Sequence, residues 1–109
     1  MPCVCALSTG VDSQAALADV VDRVAQGFAS DAPDVAVVFA SRHHADVLGQ
    51  AAAALRARVR ARHVIGCTGE TIIGEDREIE DTPALSVWAA TLPGSVVDPV
   101  RVCFDNEFE

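Results

Sequence analysis

Residues 35–40 read VAVVFA, a run of six apolar residues that decides how the rest of the chain is arranged. A strand with one face in water alternates apolar and polar side chains, so this run is expected to be covered on both faces. Such a strand belongs in the middle of a sheet. Apolar residues recur with helical spacing before and after it. The two stripes are Leu17, Val20, Val21, Val24 and Phe28, and then Leu48, Ala51, Ala52, Leu55 and Val59.

The order of the elements predicts the fold class. The first helix is expected to begin at Asp12 or Ser13, whose side chains can accept from free N–H groups, and to end near Gly27. The second is expected over residues 45–61, with strands at 63–66, 71–73 and 85–92. Strand, helix, strand forms a βαβ unit, whose two strands run parallel. The sequence therefore predicts an α/β fold: a parallel or mixed sheet packed by two amphipathic helices, in one domain over residues 1–109.

Charge and cysteine usage restrict the partners and the compartment. The chain has 16 acidic and 8 basic residues, a formal net charge of −8 and a pI near 4.6. Nucleic acids and anionic membranes require a basic face, so neither is an expected partner. No apolar stretch is long enough for a membrane helix, and the amino terminus does not resemble a signal peptide. The cysteine spacing does not indicate a disulfide framework, so we expect a cytoplasmic protein with reduced thiols.

The βαβ unit also predicts where a ligand would bind. The carboxyl ends of its two strands lie at the same edge of the sheet, which is where open α/β sheets bind ligands. The second helix is expected to begin there, and its free N–H groups favour an anion. The candidate ligand-binding residues are those that follow the two strands: Ser41, Arg42, His43, Gly66, Cys67, Thr68, Gly69 and Glu70.

Catalytic and nucleotide motifs are incomplete around Cys67. A nearby histidine or helix terminus would favour its thiolate, but the phosphatase signature needs an arginine where Ile73 stands. Gly66–Glu70 does not match the Gly-x-Ser-x-Gly nucleophile elbow, and the glycines match neither a dinucleotide nor a Walker loop. Histidine and cysteine spacings match no zinc pattern, so no metal or cofactor is assigned. What remains is a pocket in which Arg42 can pair with a carboxylate and Glu70 with an ammonium group.

The pattern resembles a known family. DSQAALADVV begins the first helix, VFAS ends the apolar strand, HHAD follows it, and IGCTGE and LSVWAATLPG come later. In this order, over roughly residues 9–94, they look like the N-terminal part of the FIST domain. The family-like positions are Phe39, Ala40, Ser41 and Gly66–Glu70. The resemblance implies a sensory domain that binds a small ligand, such as an amino acid, and passes a signal to an output domain.

The resemblance carries an expectation about length. FIST proteins usually continue through more of the N-terminal domain into a C-terminal FIST domain, whereas this sequence ends at Glu109. We therefore expect a partial FIST N-terminal domain, with a FIST C-terminal domain or a signalling output domain as partner. Two alternatives stay open: an enzyme with Cys67 as nucleophile, and a structural or oligomerising fragment without its own activity.

Overall fold

The computed structural model describes residues 3–103, and its main element is a mixed sheet of four strands in the order β1-β6-β2-β3. The elements are β1 (Cys3–Ser8), α1 (Ser13–Gly27), β2 (Val35–Ala40), a 3₁₀ helix (Arg42–Val47), α2 (Leu48–Ala57), β3 (His63–Thr68), β4 (Thr71–Gly74), β5 (Arg77–Glu80) and β6 (Leu85–Ala90).

The strand pairing confirms the predicted α/β fold. β2 and β3 are parallel and are connected through the helical segment between them, which makes the βαβ unit. β6 runs antiparallel to both β1 and β2, so the sheet is mixed. β2 lies between β6 and β3, as its apolar sequence predicts. β4 and β5 form a separate antiparallel hairpin.

Both helices pack on one face of the sheet, and the main core lies between the two layers. Asp12 caps α1, because its carboxylate accepts from the backbone N–H of Ala15 at 3.1 Å. The predicted stripe of α1 is buried throughout. From α2, Ala51 and Leu55 are buried. The residues that the sheet contributes to this core are Ala6, Ala36, Val38, Ala40, Leu85, Val87 and Ala89.

The second helix is shorter than expected at both ends. Residues 42–47 wind as a 3₁₀ helix, which begins with a hydrogen bond from His44 N–H to Ser41 O at 2.9 Å. At the other end Arg60 takes a left-handed conformation with φ 64, and Ala61 N–H donates back to Leu55 O at 3.0 Å. This hydrogen bond closes the end of the helix, and arginine takes the left-handed conformation in which glycine is usual.

The strands also differ from the sequence expectation. β1 and β5 were not among the predicted strands, and β6 ends at Ala90 rather than at residue 92. β3 continues to Thr68 although the glycine at position 66 suggested a turn. β3 continues because its pairing with β2 extends to Ala40 and Thr68. Glycine fits within the strand since a Cβ at Gly66 would stand 2.6 Å from the carbonyl oxygen of Val38.

The other face of the sheet is largely uncovered within residues 3–103. Along β2, Val37 is half-buried and Phe39 is 40% exposed, so the expectation that this strand is covered on both faces is wrong for the described residues. The β4–β5 hairpin covers only the carboxyl end of this face, where Leu7, Ile72 and Ala84 form a small second core. We call the uncovered part the open face: Cys5, Val37, Phe39, Ile65, Cys67 and Trp88.

Candidate functional site

A cavity of about 400 Å³ lies at the carboxyl ends of β2 and β3, the edge at which the sequence predicts a ligand site. It is bounded on one side by the segment after β2 and on the other by the β3–β4 turn and the end of the hairpin. Its lining residues are Ser41, Arg42, His43, Gly69, Glu70, Thr71, Glu80, Asp81 and Thr82.

Ser41 fixes one wall of the cavity. It is only 4% exposed, and its backbone N–H donates to Ala84 O at 2.9 Å. In return, the N–H of Ala84 donates to the Ser41 hydroxyl oxygen at 3.0 Å. This reciprocal pair joins the end of β2 to the segment that leads into β6. The wall is therefore held by hydrogen bonds that are protected from water.

The opposite wall is attached to the same strand. The N–H of Gly69, in the β3–β4 turn, donates to Ala40 O at 3.0 Å and so continues the pairing of β3 with β2. Glu70 and Thr71 follow directly after this contact. The backbone on both sides of the cavity is thus positioned by β2, so the distance between the walls depends on the sheet rather than on a free loop.

The charges around the cavity are mixed but mainly negative. Arg42 contributes one guanidinium, and Glu70, Glu80 and Asp81 contribute three carboxylates; all four residues are exposed. Within residues 3–103 the ion pairs involve Arg23 and Arg58, so the Arg42 guanidinium has no carboxylate within 4.0 Å in that part of the chain. The arrangement can receive a carboxylate at Arg42 and a cationic group at the acidic side.

The two adjacent histidines have different environments. His43 is exposed, lines the cavity, and places Nδ1 at 3.1 Å from the hydroxyl of Ser41. His44 is fully buried and turns the other way. The two side chains therefore diverge from adjacent positions of the 3₁₀ helix.

His44 connects the start of α1 to the segment after β2. Its Nε2 lies 2.9 Å from Gly10 O, and its Nδ1 lies 2.7 Å from the Ser13 hydroxyl. A carbonyl oxygen can only accept, so Nε2 carries a proton, and in the neutral imidazole the serine hydroxyl donates to Nδ1. Both ring nitrogens are therefore used, and the buried imidazole holds the backbone next to the cavity in place.

The structure separates the predicted site residues into two groups. The cavity lining includes Ser41, Arg42, His43, Gly69 and Glu70. The other three, Gly66, Cys67 and Thr68, lie in β3 and are not part of that lining. Cys67 is in register with Phe39, which places it on the open face.

Four lining residues were missed by the sequence reasoning, and all come from the hairpin or its exit: Thr71, Glu80, Asp81 and Thr82. Residues 75–81 form an acidic stretch, which in sequence is typical of a solvated loop or hairpin tip. Its composition gives no signal that the hairpin folds back to the sheet edge, because that placement depends on the burial of Ile72 against Leu7 and Ala84.

The expected anion site at the start of α2 is not formed. α2 begins at Leu48, six residues after the cavity residue Arg42, and its N-cap position, Val47, makes no side-chain capping bond. The 3₁₀ helix occupies the place at which the helix was expected to begin. The positive charge available to a ligand therefore comes from the Arg42 side chain rather than from a helix terminus.

Residues 3–103 contain neither a metal-binding cluster nor a membrane-spanning helix. In residues 3–103, no three or more His, Cys, Asp or Glu side chains are grouped so that they could hold a metal ion. The helices in the same part of the chain are all too short or too polar to cross a membrane.

Comparison with known proteins identifies a family that the chain matches. The model of the FIST N domain matches residues 34–102, which include β2, β3, the hairpin, β6 and most of the cavity lining. An uncharacterized protein of Mycobacterium tuberculosis is 33% identical over 87 residues, which cover 80% of this chain and 23% of that protein. An uncharacterized protein of Mycobacterium bovis is 30% identical over 83 residues, which cover 76% of this chain and 22% of that protein. No solved structure gives a significant match.

The chain thus spans less than a quarter of the length of these relatives. The matched family is one of sensory domains that bind small ligands in signalling proteins.

Proposed function

The chain belongs to the FIST N domain family, and we propose that it is a sensory domain that binds a small ligand in the cavity at the carboxyl ends of β2 and β3. The observation that carries this proposal is that three features of a binding site occur together at this cavity. The cavity lies at the sheet edge that α/β folds use for ligands, and its walls are fixed by hydrogen bonds. It also has the guanidinium of Arg42, which has no carboxylate within 4.0 Å in residues 3–103, and three carboxylates.

The ligand we propose is an amino acid. A cavity of about 400 Å³ is at the lower end of the sizes usual for small-molecule sites, roughly 300–1,000 Å³. Arg42 would pair with the carboxylate of the ligand, and Glu70 or Asp81 would receive its ammonium group. Ser41 and His43 supply further hydrogen-bonding groups at the wall next to Arg42.

The competing proposal, an enzyme with Cys67 as nucleophile, has less support. A cysteine nucleophile needs a base within hydrogen-bonding distance. His43 places its Nδ1 against Ser41, and His44 uses both ring nitrogens with Gly10 and Ser13. Cys67 also lies on the open face and is not part of the cavity lining. We therefore propose binding without catalysis.

We place this function in the cytoplasm and expect the signal to pass to an output domain or to a FIST C-terminal domain. The cysteines of residues 3–103 are all free thiols. Exposed thiols persist in reducing compartments, which supports a cytoplasmic setting.

The test is thermal unfolding of the chain with each of the common amino acids at millimolar concentration. A ligand at ten times its Kd stabilises a protein by about 1.4 kcal/mol, which in a domain of this size is a rise of roughly 5–10 °C in Tm. Arg42→Gln should abolish the rise. Arg56→Gln is the matched control, since Arg56 is exposed at the end of α2 and outside the cavity lining.

Two results would count against the proposal. The first is that no amino acid raises the Tm of the unaltered chain. The second is that a rise is equally large in Arg42→Gln, which would move the site away from the cavity. A rise that is lost in both arginine variants would reflect the net charge of the chain and not the site.

A further inference from the structure

The open face has the composition of an interior surface. Three of its large apolar side chains are exposed by 39–55%: Trp88, Phe39 and Ile65. The register of the sheet places Cys5, Trp88, Val37 and Ile65 in one row across all four strands, with Phe39 and Cys67 beside it. Neighbouring strands are about 4.8 Å apart, so the row extends over roughly 14 Å.

Charge is absent from this face although it is plentiful elsewhere. The chain has 24 residues of the Asp, Glu and Arg types, and none of them belongs to the six that form the open face. A sheet face that is exposed to water normally has polar or charged side chains, which also discourage nonspecific association. The composition therefore fits a face that another layer covers, at the usual separation of about 10 Å.

The position of the β4–β5 hairpin limits the area that a covering layer could occupy. It reaches the sheet only at the carboxyl end, where the side chain of Ile72 is buried and Gly74 packs against Leu7 and Ser86. A cavity of about 200 Å³, lined by Phe39, Thr71, Ile72 and Ile73, lies at the border between hairpin and open face. Ile73 is 68% exposed beside it. An apolar residue from the covering layer could insert there.

The family match points to the source of the layer. It extends to residue 102, beyond the end of β6, through a segment in which Val96, Val100 and Val102 are 94%, 79% and 65% exposed. The region that matches the family therefore has exposed apolar residues both on the open face and in the segment after β6. The relatives that match this chain have more than three quarters of their length outside the matched region.

A second copy of this chain is a poorer occupant. Each chain of such a dimer would have a formal net charge of −8. Self-repulsion of this size opposes association at low salt, although it does not affect an uncharged partner surface.

We propose that the open face is the docking surface for the remainder of a FIST protein, the polypeptide that lies outside the segment matched here. The docking surface is the same whether that polypeptide is joined to this chain or separate from it. The proposal rests on family membership and on the open face, and it does not depend on the ligand proposed above.

The test is co-expression of the tagged chain with the M. tuberculosis relative from which the matched segment has been deleted. We expect the two polypeptides to co-purify in a 1:1 complex. In the complex, alkylation of Cys5 and Cys67 by a maleimide, followed by mass spectrometry of each cysteine, should be at least tenfold slower than in the chain alone.

Substitutions locate the contact. Trp88→Glu and Ile65→Glu each place a charge on the open face at a partly exposed position, and each should reduce the yield of complex at least tenfold. Val11→Glu is the control, because Val11 is 81% exposed in the β1–α1 loop and should leave the complex intact. Circular dichroism of each variant alone verifies that the chain still folds.

Three outcomes would overturn the proposal. One is the absence of a complex, including a remainder that stays insoluble alongside the chain. Another is a complex that survives both Trp88→Glu and Ile65→Glu. The third is a homodimer of the unaltered chain, disrupted by Trp88→Glu and not displaced by the remainder, which would assign the open face to a second copy.

Discussion

The two faces of the sheet differ in a way that reverses the usual relation between side-chain size and burial. The helix-covered face presents mainly alanine and valine, and those residues are buried. The open face presents the single tryptophan together with Phe39 and Ile65, and these are partly exposed. Within β2 the alternation is direct: Ala36, Val38 and Ala40 point to the helices, and the larger Phe39 points away.

This difference agrees with the proposal that a second layer covers the open face. Small residues on the covered face let the helices approach closely, and the side chains of Leu55 and Val20 fill the space between. The open face has the larger side chains that a second layer would bury. Because the described residues cover only one face, the stability of the chain should depend on that face much more than on the other.

The largest expected effect comes from truncating a leucine in the covered core. Leu55 is fully buried, so Leu55→Ala should lower the free energy of unfolding by about 2–5 kcal/mol. Ile65→Ala removes a comparable side chain from the open face, where more than half of it is already in water, and should cost less than about 1 kcal/mol. Urea unfolding followed by circular dichroism measures both. Equal losses would mean that the open face is covered in solution.

A smaller effect is expected where β3 approaches β2 on the covered face. A Cβ at position 66 would stand 2.5 Å from Val38 Cγ1 and 2.6 Å from its carbonyl oxygen, and a carbonyl cannot move aside as a side chain can. Gly66→Ala should therefore destabilise the chain by about 1–3 kcal/mol. Gly49→Ala is the matched control, because nothing lies within 4 Å of a Cβ there.

The control should shift stability in the opposite direction. Gly49 lies in α2, where replacing glycine by alanine stabilises a helix by about 0.5–1 kcal/mol. The same urea titration measures both variants. If Gly66→Ala were neutral, the edge strand β3 would have to be free to move away from β2, and the position of Gly69 at the cavity would not be fixed by the sheet.

The covered face was predictable from the sequence because its signal is periodic. The stripes Leu17–Phe28 and Leu48–Val59, together with the apolar run of β2, gave both helices and the βαβ unit. The open face was not predictable: an all-apolar strand indicates two covered faces, and only the structure shows that one of them has no layer within residues 3–103.

The candidate site was predictable to the extent that strand order determines it. Ser41, Arg42, His43, Gly69 and Glu70 line the cavity because parallel strands end at one edge. The hairpin residues depend on a tertiary contact, Ile72 against Leu7, which no local pattern encodes. β1 was missed because it begins almost at the amino terminus, with no helix before it to define a repeating unit.

The smallest expected effect concerns the side chain that joins the hairpin to the edge of the sheet. β1 is an edge strand, and the N–H of Leu7 donates to the Glu75 carboxylate at 2.8 Å. Arg23 of α1 lies 3.4 Å from the same carboxylate and donates to Leu7 O. Glu75 thus accepts from the N–H of an edge strand, at Leu7. It also connects the hairpin, which lies on the same side of the sheet as the open face, to α1 on the covered side.

Glu75→Ala should lower the free energy of unfolding by about 1 kcal/mol, because the N–H of Leu7 loses its partner in a partly buried position. Glu75→Gln keeps an acceptor and loses only a half-exposed ion pair, so its cost should be a few tenths of a kcal/mol. Glu78→Ala, which changes an exposed carboxylate elsewhere in the hairpin, is the control.

Amide hydrogen exchange gives the sharper measurement. Exchange at the N–H of Leu7 should accelerate in Glu75→Ala and stay unchanged in Glu78→Ala. If Leu7 remained equally protected in Glu75→Ala, the hairpin would be held to the sheet by Ile72 alone, and the two sides of the molecule would not be coupled through this carboxylate.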